Sequence, residues 1–244
     1  MFEALTPGIR YMLVSALGFA LMAACVKGAA TQGIPVLEIV AARAVVSLAL
    51  SYLDIKRKRL SVWGHNKPLL IARGAVGALA LMCVFYAVST LPLAEAAVLQ
   101  YTYPAFTALI ALWFLKERIQ IGTMICIGLS LLGLIVMVQP DLSGGAITGL
   151  NALSVSAALL GALGSAVAYV MVRRLSQTDD ASVIIFYFPL IAFPVAALLL
   201  GDDVVMPGPE ALLLLLLVGI FTQIGQVGLT KAMAAEKAGK VAAY

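Results

Sequence analysis

The sequence predicts an all-α, polytopic membrane protein, and three observations carry that prediction. Of its 244 residues 63% are apolar and 11% charged, against about half and a quarter in soluble domains. Eight apolar stretches reach the roughly 20 residues that cross a hydrocarbon core about 30 Å thick. Basic residues gather in alternate loops between them. So much apolar surface cannot be hidden in a compact water-soluble domain. A cytosolic enzyme, a nucleic-acid reader and a disulfide scaffold are thereby excluded, and the net charge of +4 calls for no nucleic-acid partner.

The expected spans follow in order. The first, 11–28, carries small residues every four positions (Ala16, Ala20, Ala24, Gly28), a ridge suited to close helix packing, and ends near Lys27. The second, 35–53, opens at Pro35 after Gly33 and contains Arg43. The third, 69–89, follows Pro68 and contains Arg73. The fourth, 94–115, follows Pro92 and holds Gln100, Tyr101, Tyr103 and Pro104. The fifth, 121–138, is glycine-spaced at Gly122, Gly128 and Gly133 and stops before Pro140. The sixth, 150–172, repeats the small ridge at Ala158, Ala162 and Ala166. The seventh, 182–200, contains Pro189 and Pro194 and ends at Gly201. The eighth, 211–229, follows Pro207 and places Gln223 and Gln226 three apart on one face.

With the N-terminus in the cytoplasm, thirteen of the sixteen basic residues fall on the inner side, among them Arg57, Lys58, Arg173 and Arg174, and none falls in an outer loop. The outer side carries Glu38, Glu95, Asp141, Asp202, Asp203 and Glu210. This asymmetry orients helices during insertion. The basic loops need bind nothing beyond anionic headgroups. The expected location is a cell membrane, the bacterial inner membrane, with multiple passes.

Shifting the chain by 145 residues superposes the first three spans on the sixth to eighth, bringing Gly74 onto Gly219, Ile39 onto Ile184 and Ala87 onto Ala232. Each copy then comprises five helices, and an odd number inverts the second copy in the membrane. The expected domains are a first five-helix repeat over 1–139 and a second, incomplete repeat over 148–244. Eight full spans and the start of a ninth are thus read as part of a ten-helix, 5+5 inverted-repeat fold. The register predicts a continuation of about 40 residues through a ninth and tenth helix.

The run from Leu91 through Pro104 (LPLAEAAVLQYTYP), the apolar stretch on to Leu115, the Lys116-Glu117-Arg118 that follows and the glycine-spaced fifth span resemble the drug/metabolite transporter superfamily, EamA type. Lys27 and Arg43 resemble that family's basic positions in its first two helices. The resemblance implies a ten-helix carrier with both termini cytoplasmic and a central cavity between two five-helix halves, moving amino acids, other metabolites or drugs.

Charges inside lipid cost about 2.5 to 3.5 kcal/mol each on insertion scales, so intramembrane ones are candidate functional groups. Arg43, too deep for easy snorkelling, either lines the cavity or partners a helix carbonyl or acid. Lys27 either pairs with Glu38 or Glu95 to latch the outer mouth or snorkels. Arg73 either snorkels towards cytoplasmic phosphates or serves as a gating or ion-pair residue. Gln100, Tyr101 and Tyr103 stand before Pro104, where a lost backbone bond bends the helix and exposes a carbonyl, so this patch suits an organic solute. Gln223 and Gln226 either contact solute or tie helices together. The proline pair in the seventh span suggests a second bend.

No phosphate loop, nucleophilic constellation or metal-ligand set is present: His65 stands alone, and Cys25, Cys83 and Cys126 sit in apolar runs. No cofactor is expected. The rivals are a membrane-embedded enzyme acting on lipid, for which Asp179-Asp180, the adjacent acid pair of an inner loop, reads as solvated, and a truncated, non-transporting membrane protein. The expected partners are a small-molecule solute and the bilayer, and the expected function is secondary transport by alternating access.

Overall fold

A computed structural model describes residues 6–116 and 152–242, with 121, 122, 124, 125, 127–129 and 132 between them. The described residues form helices and no strands. They are α1 (Pro7–Thr31), α2 (Val36–Arg57), α3 (Lys67–Thr90), α4 (Leu93–Gln100), α5 (Tyr103–Phe114), α6 (Ala152–Leu175), α7 (Ala181–Leu200), α8 (Pro209–Ala235) and the short α9 (Ala238–Ala242). Seven membrane-crossing helices are present among these residues, α4 and α5 together making one of them. The expectation of eight full spans and the start of a ninth is therefore not matched. Most of the fifth expected span, with Cys126 and Gly133, lies outside the described residues, as do Glu117, Arg118, Pro140 and Asp141.

The helices begin where local chemistry favours a start. Pro7 and Pro209 sit in the first turns of α1 and α8, where the missing N–H is no loss. Pro35 and Pro92 immediately precede α2 and α4. Asp180 caps α7 by accepting from the Ser182 amide at 2.9 Å. Gly201, at φ 57°, ends α7 in a backbone region that side chains disfavour. α1 and α8 overrun the expected apolar spans by several residues, because their polar end turns can extend beyond the hydrocarbon. α7 runs through both Pro189 and Pro194 without interruption.

Two compact units divide the chain, one comprising Met1–Ala75 with Val172–Glu236, the other Val76–Met171 with Lys237–Tyr244. In the first, α1 packs on α8, and α2 packs on α7 and α8. Gly18 makes the α1–α8 approach possible, since a Cβ there would lie 2.8 Å from the Gly225 nitrogen. Beside it the Ser15 hydroxyl donates to the Gly225 carbonyl at 2.8 Å. The face that packs is thus Ser15 and Gly18, whereas Ala16, Ala20 and Ala24 of the expected ridge are exposed. A four-residue spacing of small side chains marks a smooth face without saying which neighbour it meets. Ala29, Ile34, Ile39, Ala211, Leu215 and Val218 form the apolar centre at one end of this unit. The Arg173 guanidinium donates to the Met233 and Ala234 carbonyls at 2.6 and 3.0 Å, closing the end of α8.

In the second unit the α6 ridge behaves as expected, with Ala158, Ala162 and Ala166 all buried. Gly161 and Gly164 lie against Val84 and Ala80 of α3. Ala87, Leu91, Ala96 and Ala158 form a small apolar cluster, and α5 meets α9.

Candidate functional site

Arg43 lies seven residues into α2, about 10 Å along the axis from the start of that helix. The side chain is half-buried. Its Nη1 donates to the Met22 sulfur at 3.9 Å, and its guanidinium carbon stands 5.7 Å from the centroid of the Phe188 ring. Arg73, for which the sequence left snorkelling or a gating role open, turns inward: it is 5% exposed, and its guanidinium carbon stands 5.0 Å from the centroid of the same ring. Two guanidinium groups from α2 and α3 therefore converge on one phenylalanine of α7. Cation–π attraction favours each approach, while the two like charges repel.

Ser47 and Ser51 continue the polar face of α2 at intervals of four from Arg43. Both are taken up by Gln223 of α8. The Ser47 hydroxyl donates to Gln223 Oε1 at 2.7 Å, and Gln223 Nε2 donates to the Ser51 hydroxyl at 2.9 Å. Of the two expected roles for Gln223, tying helices together is the one this geometry fits. Gln226, one turn further on, has a buried Oε1 with no hydrogen-bond partner among the described residues.

Glu38 is buried and accepts from the Val205 amide at 2.9 Å. The expected Lys27–Glu38 pair is not seen among the described residues, where Lys27 is exposed and Glu38 accepts from that backbone donor. The ion pairs seen among the described residues instead cluster where α2 ends and α7 begins. Lys58 Nζ lies 2.8 Å from Asp54 and 2.9 Å from Asp180, and the Ser182 hydroxyl donates to Asp54. Burial alone would raise the Asp180 pKa, but the Ser182 amide and hydroxyl and the Lys58 ammonium together hold it below the ordinary carboxylate value. Lys58 mirrors this: burial would lower it, and hydrogen bonds and charge from Asp54 and Asp180 raise it above the ordinary lysine value.

The second unit holds the other expected site residues. The helix stops at Gln100 and resumes at Tyr103, so the interruption falls at Tyr101 and Thr102 rather than as a bend at Pro104. Pro104 stands in the first turn of α5, where its missing N–H costs little. The Thr102 hydroxyl and amide both donate to the Leu99 carbonyl, at 2.7 and 3.2 Å. Tyr101 points away, 68% exposed, whereas the Tyr103 ring turns inward and meets Tyr169 edge-on at 5.4 Å. Gln100 Nε2 donates to the Ser165 hydroxyl at 3.3 Å, leaving its Oε1 buried without a partner among the described residues. Glu95, in the first turn of α4, likewise has one buried and unpartnered carboxylate oxygen. Among the described residues no group of His, Cys, Asp or Glu could hold a metal ion.

Sequence reasoning missed Met22, Phe188, Ser47 and Ser51. Two signals pointed to them. Arg43, Ser47 and Ser51 share the four-residue spacing of one helix face, and Phe188 is the residue that the 145-residue shift brings onto Arg43. That register recurs in the helix bounds. α1 and α6 start at Pro7 and Ala152, α2 and α7 at Val36 and Ala181, α4 and α9 at Leu93 and Ala238, and each pair is 145 apart. It recurs in contacts too. Gly74 packs on Ile191 while Gly219 packs on Val46, and Gly164 packs on Ala80 while Gly225 packs on Phe19. In each case the shift exchanges one contact for the other. Applied to the contact of Arg43 with Phe188, it returns the same two positions.

Residues 6–139 match the profile of the EamA-like transporter family. The pseudopaline exporter CntI of Pseudomonas aeruginosa is 34% identical to this chain, across 98% of it and 83% of the exporter. Solute carrier family 35 member G1 of Mus musculus is 29% identical, across 96% of this chain and 67% of its own length. One solved structure shares the fold with a TM-score of 0.73, covering 97% of this chain and 81% of the other at 18% identity.

Proposed function

The chain belongs to the EamA-like transporter family and is a multi-pass membrane transporter; from that premise we propose that it moves a small organic solute by alternating access, with Arg43 and Phe188 at the centre of the solute path. The observation that carries this reading is that their contact is its own equivalent under the 145-residue register. In a two-fold inverted repeat, only positions at the axis meet their own counterparts, and such carriers hold substrate near the membrane midplane where the repeats meet. The exchanged glycine contacts and paired helix starts support the same plan, a 5+5 inverted repeat with domains over 1–139 and from 148 onward. Orientation follows the basic loops, with the N-terminus in the cytoplasm of a bacterial cell.

In this reading the two copies have diverged at the axis. Arg43, Ser47 and Ser51 of α2 stand where α7 has Phe188, Ala192 and Ala196. The path thus has a cationic, hydroxyl-bearing side facing an aromatic, aliphatic one, which suits a solute with one charged and one apolar end. Tyr103, Gln100 and Gln226 are further lining groups, each of the two glutamines having an amide oxygen still to be satisfied. Lys27, Glu38 and Glu95 are assigned to the outer mouth.

Flux of radiolabelled amino acids into proteoliposomes tests the proposal. Saturable uptake by the wild type is expected to fall at least about tenfold in Arg43→Ala, the loss of one charge-assisted contact. Wild-type uptake by that variant would remove Arg43 from the path, and lipid turnover without flux would favour an enzyme instead.

A further inference from the structure

Arg43 carries a fixed charge into the membrane span and finds only soft partners there. A guanidinium does not escape burial by losing its proton. Among the described residues no carboxylate lies within ion-pair distance of it. The Met22 sulfur is a weak acceptor. The hydroxyls one and two turns further along α2 are engaged by Gln223. Cation–π attraction from the Phe188 ring is weaker than the cost of placing such a charge in a span. Arg73 approaches the same ring, its guanidinium carbon 5.0 Å from the centroid. Met22, Arg43 and Phe188 are each half-buried, so part of this cluster remains open to an arriving molecule.

We infer that the solute is an organic anion whose carboxylate docks on the Arg43 guanidinium, with its carbon skeleton against the Phe188 ring and Arg73 adding a second positive charge nearby. This rests on the transport reading for the word solute; the binding itself does not depend on it. A planar guanidinium fork matches a carboxylate in two parallel hydrogen bonds. A neutral solute would leave the charge uncompensated, and an amine would add repulsion. A lipid headgroup is disfavoured by depth, since Arg43 lies about 10 Å along the helix from the nearer end of α2.

The test is thermal unfolding of the full chain in phosphatidylcholine nanodiscs, titrated at constant ionic strength with glutarate and succinate and, in parallel, with glutaramide, succinamide and putrescine. At least one of the two acids is expected to raise Tm saturably while its amide and putrescine do not. Arg43→Gln is expected to raise the half-saturating acid concentration about 10- to 100-fold, and Arg43→Lys to fall between. The inference is overturned if neither acid shifts Tm, if amides match acids, or if Arg43→Gln binds acid like the wild type. Should that variant fail to fold, the acid-against-amide comparison on the wild type still decides. Phosphatidylglycerol in the nanodiscs abolishing the acid effect would assign the site to lipid and also overturn it. Acid binding without vesicle flux would leave this inference standing and remove the transport reading. Flux of a neutral or cationic solute, indifferent to both acids, would do the reverse.

Discussion

Lys58 shows how much a single side chain does at the junction of α2 and α7, because it faces Asp54 and Asp180 together. Both it and Asp180 are about a third exposed, so water screens the pairs and together they contribute about 1 kcal/mol. The sign follows from linkage. Asp180 is held below its ordinary value of 3.8, so its contribution is full above that pH and vanishes as pH falls through the lowered value. Lys58 is held above 10.5, so its share is full below that pH and vanishes as pH rises through the raised value. Lys58→Met is therefore expected to lose about 1 kcal/mol at neutral pH, with the gap to wild type closing at both extremes. Chemical unfolding in mixed micelles over a pH series measures this, and a gap that widens towards acid would contradict the assignment. At this scale the sequence was only partly legible. Arg43 stood out because a charge in an apolar run is costly wherever it points. Arg73 stood out for the same reason, but its inward turn was not legible, because Phe188, the ring it meets, is distant in sequence. Gln223 was undecided until Ser47 and Ser51 supplied both its partners.

Among the helices, the decisive property is how close two backbones come. Without a hydrophobic force between helices in lipid, contact area from small residues supplies the association. A Cβ on Gly161 would lie 2.8 Å from Val84 Cγ2 and 3.2 Å from the Val84 nitrogen. Gly161→Val is thus expected to force α3 and α6 apart and cost about 1 to 3 kcal/mol, the range for overpacking. Ala16→Val, on the exposed face of α1, is expected to change stability by less than about 0.5 kcal/mol. Equal losses in the same unfolding assay would mean that the α1 ridge is packed after all, for instance against another chain. Helix existence was readable because length and apolarity suffice to predict it. Which face of α1 packs was not, since Ser15 and Gly18 interrupt no pattern a single helix displays. The break at Tyr101 and Thr102 was displaced by two or three residues from Pro104, because proline in a first turn starts a helix as readily as it bends one.

For the molecule as a whole, the paired contacts carry a mechanical consequence. Gly74 of α3 meets Ile191 of α7, and Gly219 of α8 meets Val46 of α2. If α3 and α8 run through the membrane in opposite senses, as the proposed five-helix copies require, these contacts lie towards opposite faces. Under the alternating access proposed above, one of them would tighten as the other loosens, with the Arg43 and Phe188 contact staying in place. Adding a methyl group at either glycine presses on one side of that exchange. A Cβ at Gly74 would come within 2.7 Å of both the Ile191 side chain and the Tyr187 carbonyl. Gly74→Ala should therefore disfavour the state closed there, and Gly219→Ala should disfavour the opposite one. Met22→Cys, beside Arg43, reports the balance in a chain whose native Cys25, Cys83 and Cys126 are replaced by serine. Labelling by an impermeant maleimide, applied to each face of oriented vesicles, is expected to shift in opposite directions in the two alanine variants. Each shift should amount to several-fold, since about 1 kcal/mol of bias is a factor of about five in a two-state equilibrium. A common direction in both variants would mean that the two contacts close the same side. The exchanged contacts would then reflect shared ancestry of the helices without a rocking motion between them.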